Sequence, residues 1–571
     1  LAIVCSNLVI LTATDLNSMR NLTHTIRSFI VYNLVLTCVL TLASCSNRSQ
    51  EKFDLIVYNA ILHDTQADSI KETLDMEYVW IGVKEGVIKE VSSYNTATTL
   101  PRSAKSVDLN GEHLYPGFID AHGHLFAYAE MLSTVNLVGA STLEECLIRI
   151  RKYITAHPDQ LWIQGRGWDQ NDWPTKQYPK ASDLAEFNDV NIYLSRIDGH
   201  AAWVNSRVLE ESGINNDIEV KGGKIMDGIL IDNASTLVTL PKSTHQFWRS
   251  ALLRAQDSLI KYGLTAMTDA GLHKDQILLL DSLQTEGKLH LTINAMISNT
   301  EEDLSFFEEY GAIEKPLLRV KSVKAYLDGA LGSWGALLRR PYHDLPQHFG
   351  LPLLSFDQLN TLRDRCVKNQ WQLCVHAIGD SAHHLLLKSF NELDTAIDLR
   401  FRVEHAQIMT PEDSAYYAHP NITASVQPTH ATSDMYWAEE RLGPHRIHHA
   451  YSYKRLLNAA GVLALGTDFP IEHIDPLATF YAATTRKDHK DWPVNGFIPT
   501  QAISPKEALI GMTYGASYAA FGEHQYGSTR IGQRANFTII NSNLLDPKEN
   551  QRSTTQVIGT VVNGHYFPTL K

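Results

Sequence analysis

Pro116-Gly-Phe-Ile-Asp-Ala-His-Gly-His124 decides the fold. The run Gly117–Ala121 has the length and apolarity of a strand, and two histidines separated by one glycine follow it. On an extended backbone residues i and i+2 point to the same side, so His122 and His124 reach toward one ion together. Gly123 between them lets the backbone come close. Seven more apolar runs of strand length occur further along, each alternating with a helical stretch. They are Leu264–Thr268, Leu291–Ile297, Val323–Leu327, Gln372–His376, Phe401–His405, Ile422–Gln427 and Val462–Gly466. Near-continuously apolar strands separated by helices argue for a parallel sheet covered on both faces. Eight of them close naturally into an α/β fold of the (β/α)8 TIM-barrel type, expected over residues 116–524. The gap between the first two strands is too long for one helix, so an insertion is expected at about 140–250.

Outside the barrel the pattern is different. Phe53–Tyr58, Tyr78–Val83 and Val87–Val91 are short β-patterned runs separated by turn residues, and Ala535–Ile540 and Val557–Val562 repeat the pattern at the far end. The simplest arrangement has residues 53–115 and 525–571 forming one small β-sandwich from both chain ends, with the barrel inserted into it.

The chemistry-bearing residues fall at the carboxyl ends of the barrel runs, the face where such barrels place their sites. His122 and His124 follow the first run, His376 and His405 end the fifth and sixth, and Asp468 follows the eighth. With 25 histidines in the chain, any one of these is more often structural. Five candidate ligands arriving in strand order are a metal centre. Nitrogen and carboxylate donors in this mixture suit Zn²⁺, with Fe²⁺, Mn²⁺ or Co²⁺ as alternatives.

Pro116–His124, Val375-His-Ala-Ile-Gly-Asp380, Glu404-His-Ala406 and Gly466-Thr-Asp468 together resemble the amidohydrolase superfamily. Gly167-Trp-Asp-Gln170, Arg196–Asn205 and Val323–Ser333 narrow the resemblance to its amidohydrolase-3 (YtcJ-like) branch, which includes N-substituted formamide deformylase. It covers about residues 53–565 and implies the barrel, the split sandwich and a hydrolytic centre of one or two ions. It also implies that Lys324, on the fourth run, is carboxylated and bridges two metals. That chemistry needs a neutral amine, which burial near cations favours. Asp468 is then both ligand and the base that takes a proton from the attacking water and delivers it to the leaving nitrogen. Trp168, Asp169, His200 and Asp328 are the candidate substrate contacts, with packing the competing role for the tryptophans and His200. Two departures stand out. Asn536 occupies a position where the family usually has aspartate, and Gly228–Asn233 is a shortened form of the usual substrate-side loop.

Composition bounds the partners. Apolar residues make up 44% and charged residues 20%, an ordinary globular balance. The net charge of −13, with no long basic run, argues against a nucleic-acid partner. Met19, Arg20, His24 and Arg27 precede the apolar stretch Phe29–Leu42, which has signal-peptide rather than transmembrane length. The stretch ends in Leu42-Ala-Ser-Cys45, which resembles a bacterial lipobox. The expectation is therefore a lipoprotein: residues 1–18 upstream of a true start at Met19, a signal peptide over 19–44, Cys45 lipidated, and 45–52 as a tether. Ser46 after the cysteine favours the outer membrane, facing the periplasm. Cys146, Cys366 and Cys374, in the folded part, show no zinc or disulfide spacing and are expected as buried thiols.

The function expected is hydrolysis of a C–N bond, an amide or N-acyl group, in a small molecule. Ester or lactone hydrolysis, or isomerisation, on the same site is the alternative within catalysis. A metal- or solute-capturing lipoprotein without turnover is the alternative outside it. Oligomeric assembly stays open.

Overall fold

A computed structural model describes residues 52–64, 78–196, 201–221, 223–241, 244–546, 548 and 551–569. The expected signal peptide, Cys45 and its tether up to residue 51, and His200 lie outside the described residues. Two compact units divide the chain, and the larger, Leu55–Thr98 with Ser106–Lys571, carries the barrel and the candidate site.

Eight strands make the barrel: β1 Phe118–Gly123, β2 Leu264–Leu272, β3 Thr292–Ser298, β4 Leu318–Tyr326, β5 Gln372–Ala377, β6 Phe401–His405, β7 Ile422–Val426 and β8 Leu463–Leu465. They lie in sequence order and every neighbouring pair is parallel. All eight overlap the apolar runs of the sequence, because strands buried on both faces need apolar side chains at successive positions. Just past β8, the Asp468 N–H donates to the His122 carbonyl at 2.7 Å and the His124 N–H to the Phe469 carbonyl at 2.8 Å. The Thr467 hydroxyl donates to Asp120 Oδ2 at 2.7 Å. The seam between the last strand and the first is thus stitched by the segments that carry the candidate ligands.

Between β1 and β2 a separate six-stranded sheet runs in the order Gly223–Met226, Ile229–Asp232, Ala201–Val204, Asn191–Arg196, Trp162–Trp168, Val135–Asn136. Its core is built on Trp168, Trp203, Leu184 and Leu194. The sheet starts earlier and stops earlier than the 140–250 expected. Residues 245–261 instead form helix α1, His245–Lys261, which leads into β2. Thr244 caps this helix by accepting from the Phe247 N–H, and Ala251, Leu252, Ala255 and Leu259 give it one buried stripe. That stripe joins the core of the barrel, so the segment belongs there.

Strands from both flanks of the barrel segment pair in one sheet, where the sequence suggests a β-sandwich. Its order is His565–Pro568, Val557–Val562, Phe537–Ile540, His113–Pro116, Phe53–Leu62, Tyr78–Lys84, Val87–Ser93. The parallel pairs Ile61/His113 and Leu62/Leu114 join the two halves. Leu55, Val57, Ile81, Leu114, Phe537 and Val561 share its core. Asn536, at the departure noted in the sequence, accepts the Asn563 N–H at 2.7 Å through its side-chain oxygen. Among the described residues no helix is long and apolar enough to cross a membrane.

Candidate metal centre

Each histidine at the mouth of the barrel has its orientation set by a neighbour. The Nδ1 of fully buried His122 lies 2.6 Å from Glu404 Oε2, and the other Glu404 oxygen is held 2.7 Å from Arg402 Nε. A carboxylate at Nδ1 keeps the proton there and leaves Nε2 as the atom with the lone pair. His405 repeats the device with Nδ1 donating to Gln427 Oε1 at 2.8 Å. The rings of buried His122 and His405 and of partly buried His376 cluster: His122 and His405 have centroids 4.9 Å apart, and His405 and His376 4.5 Å. His376 Nε2 is buried without a hydrogen-bond partner.

Asp468 closes the ring. Its Oδ1 lies 3.1 Å from His124 Nε2 and 3.7 Å from His122 Nε2, and its Oδ2 lies 3.3 Å from His430 Nε2. Two three-residue groups with donor atoms close enough to hold an ion result, His122/His124/Asp468 and His405/His430/Asp468, sharing the one carboxylate. Both His405 (φ +69°) and Asp468 (φ +63°) sit in the left-handed backbone region. Non-glycine residues adopt it at a cost of order 1–3 kcal/mol, a strain that clusters at functional sites.

The electrostatics favour metal-ready protonation states. Burial, and then the Lys324 ammonium, push His122 down to about 4 and His376 down to about 3. Burial and the neighbouring imidazoles hold His405 well below its ordinary value. Neutral imidazoles with outward lone pairs are the ligand form. Burial alone would raise Asp468, but the His124 and His430 hydrogen bonds outweigh it and keep the carboxyl well below the usual range. Lys324 is buried, its Nζ is 3.2 Å from His122 Nε2, and burial lowers its pKa.

These residues fit a divalent cation. An orphaned buried imidazole nitrogen costs about 1–3 kcal/mol, a deficit that coordination removes. The donors are the nitrogen and carboxylate types that Zn²⁺ and its neighbours prefer.

Of the other expected site residues, three are occupied by structural work. Trp168 is fully buried, donates Nε1–H to the Leu194 carbonyl at 2.8 Å and packs against Trp173 and Trp203. Asp169 Oδ1 accepts from the Asn171 N–H at 2.9 Å and from Arg196 Nη2 at 2.5 Å. Asp328 is fully buried and accepts three backbone N–H groups, from Leu337, Ile378 and Gly379, at 2.8, 3.0 and 2.8 Å. It pins the loops around His376.

His430 escaped the sequence reading. It lies in the first turn of helix α2, Pro428–Asp434, directly after β7. Its Nδ1 faces Glu472 Oε1 at 3.1 Å. Burial would lower its pKa, but the Asp468 and Glu472 carboxylates overcome that and raise it to about 10. The available signal was Gln427-Pro-Thr-His430, a histidine just past the carboxyl end of a barrel strand.

The model of the amidohydrolase family Amidohydro_3 matches residues 105–566. Protein LONG AFTER FAR-RED 3 of Arabidopsis thaliana is 31% identical over 513 residues, 85% of this chain and 87% of that protein. YtcJ of Bacillus subtilis (strain 168) is 28% identical, covering 84% and 94%. N-substituted formamide deformylase of Arthrobacter pascens is 24% identical, covering 81% and 89%. Among solved structures, an uncharacterized metal-dependent hydrolase from Pyrococcus horikoshii OT3 superposes with a TM-score of 0.71 at 25% identity, over 87% of this chain and 99% of the other.

Proposed function

This chain belongs to the amidohydrolase family, and within that family of hydrolases we propose that it cleaves the C–N bond of an amide or N-acyl group in a small molecule. The observation that carries the reading is the place of Asp468, an ionised carboxylate with one oxygen toward His122 and His124 and the other toward His430. The name of the Arthrobacter relative, a deformylase of N-substituted formamides, supports the choice of bond.

We assign the ion to His122, His124, His376, His405 and Asp468, with Zn²⁺ the preferred metal. Lys324, carboxylated, would bridge a second ion. A divalent cation held there would acidify a water and polarise the scissile carbonyl. The chain's own residues do the rest. Asp468 takes the proton of the attacking water at its carboxylate and passes it to the leaving nitrogen. His430, as an imidazolium between Asp468 and Glu472, steadies that carboxylate and supplies positive charge beside developing negative charge. Glu404 and Gln427 keep the protons of His122 and His405 on Nδ1 throughout. The lipobox-like Leu42–Cys45 supports an enzyme anchored by lipid to the cell envelope, probed by loss of membrane association in Cys45→Ala.

The test measures metal per chain and turnover on a panel of N-substituted formamides, N-acyl amines, esters and lactones. One or two equivalents of metal, turnover on the C–N substrates, and an Asp468→Asn variant that keeps metal and loses turnover are expected. Turnover confined to esters or lactones, or an Asp468→Asn variant with unchanged rates, overturns the reading.

A further inference from the structure

At the end of the barrel opposite the candidate metal centre lies a cavity of about 770 Å³. Thr292 and Ile293 begin or follow the start of β3, Leu318 and Arg319 open β4, Gln372 opens β5 and Leu399 precedes β6, and all of them line it. Its volume is that of a small-molecule pocket. Along β4, Arg319 and Lys324 are five residues apart, so roughly 16 Å of strand separates this cavity from the metal centre.

The charges on the wall do not cancel. Glu314 is taken by Lys321 at 3.0 Å, Asp398 by Arg400 at 2.9 Å, and Lys315 by Asp281 at 2.6 Å. Two lining guanidiniums remain. Arg319 stacks over the Phe521 ring at 4.4 Å, and its Nη1 is buried with no hydrogen-bond partner. Arg534 reaches Asn563 Oδ1 at 3.4 Å through Nη1, while its Nε is likewise buried and unpartnered. Burial lowers the pKa of both, Glu314 partly offsetting it for Arg319 and Tyr526 for both. Each guanidinium thus has one nitrogen with no hydrogen-bond partner, and both side chains line the one cavity, where an anion would supply the missing acceptors. Ile293, Val367, Ile397 and Phe521 add an apolar stretch to the wall, beside the uncharged polar side chains of Gln370, Gln372 and Gln525.

We propose that this cavity is a binding site for a small organic anion, a carboxylate or phosphate monoester with an apolar body, held by Arg319 and Arg534 and separate from the hydrolytic centre. The guanidinium forks take the anionic oxygens and the apolar wall takes the body.

Calorimetry on the full chain with benzoate and phenyl phosphate, and with benzyl alcohol as the uncharged comparison, tests this. At least one anion should bind one equivalent, about tenfold or more tighter than benzyl alcohol, since charge-assisted hydrogen bonds are worth that much. Arg319→Gln and Arg534→Gln should each weaken it about tenfold, whereas Asp468→Asn should leave it unchanged. Phenylglyoxal modification of the unaltered protein, mapped by mass spectrometry, gives a readout free of any folding defect: the bound anion should slow reaction at Arg319 and Arg534 but not at exposed Arg151. No binding at millimolar anion, equal binding in both arginine variants, loss in Asp468→Asn, or no protection at Arg319 each overturns the proposal.

Discussion

Replacing Asp328 distinguishes a substrate contact from a structural anchor. The side chain is fully buried, with Oδ2 accepting from the Leu337 and Gly379 N–H groups and Oδ1 from that of Ile378. In Asp328→Ala three buried donors lose their acceptor, at about 1–3 kcal/mol each, so a loss of ~3–6 kcal/mol is expected after partial rescue by water. Against a typical domain stability of about 5–15 kcal/mol, that variant should be poorly soluble. Asp328→Asn keeps one oxygen, able to serve two of the three donors, and should cost ~1–3 kcal/mol. The loop cannot simply collapse, because a Cβ placed on Gly379 would lie 2.1 Å from the Leu337 carbonyl oxygen. Since Ile378 and Gly379 directly follow His376 and Ala377, Asp328→Asn should also weaken metal retention. The assay is the urea midpoint of unfolding beside kcat and KM. An unchanged midpoint with KM raised tenfold would place Asp328 on the substrate and refute the anchoring argument.

Four further outcomes are expected. His430→Gln should keep its metal and lose about 10–100-fold in kcat, the usual effect of removing a group that supports a ligand; loss of the metal instead would make His430 a ligand itself. Lys324→Met, loaded with metal in bicarbonate, should bind about half the metal of the parent protein by mass spectrometry, and an unchanged stoichiometry would exclude the bridging lysine. His383, buried between the Ile408 carbonyl and the Tyr417 hydroxyl, has its pKa pushed down to about 4 by burial, below its unfolded value of about 6.5. Its contribution is therefore complete above the unfolded pKa and falls away as pH drops toward 4, by about 1.4 kcal/mol per pH unit; a His383→Gln variant should show a correspondingly flatter stability curve over that window, and parallel curves would contradict the assignment. Trp168→Ala should lower stability by about 3–5 kcal/mol with KM unchanged, as calorimetry and initial rates on the folded fraction would show.

What could be read from the sequence, and what could not, divides along a physical line. A barrel strand is buried on both faces, so β2, β3 and β7 announce themselves as largely apolar runs, and a candidate ligand at a strand's carboxyl end inherits that legibility. His122, His376, His405 and Asp468 are the candidates that rule picks out. β4 shows where it weakens: the sequence suggests Val323–Leu327, whereas the strand begins at Leu318. Arg319 and Lys321 interrupt the apolar pattern there, one facing the cavity opposite the candidate metal centre and the other pairing with Glu314. Partners distant in sequence were invisible for a different reason. Asp328 takes its hydrogen bonds from residues 9, 50 and 51 positions away, and His430 meets Asp468 from 38 positions away. A polar residue beside a motif looks the same in sequence whether it faces a substrate or three backbone N–H groups. Only the direction of the side chain separates the two, and that direction is set by the closed barrel and not by the local segment. The same reasoning explains Trp168, whose motif position suggested recognition but whose indole is committed to the core of the inserted sheet. Residues that close a barrel or cap a loop are thus the ones a motif most readily misassigns, because the hydrogen bonds that occupy them come from segments no motif contains.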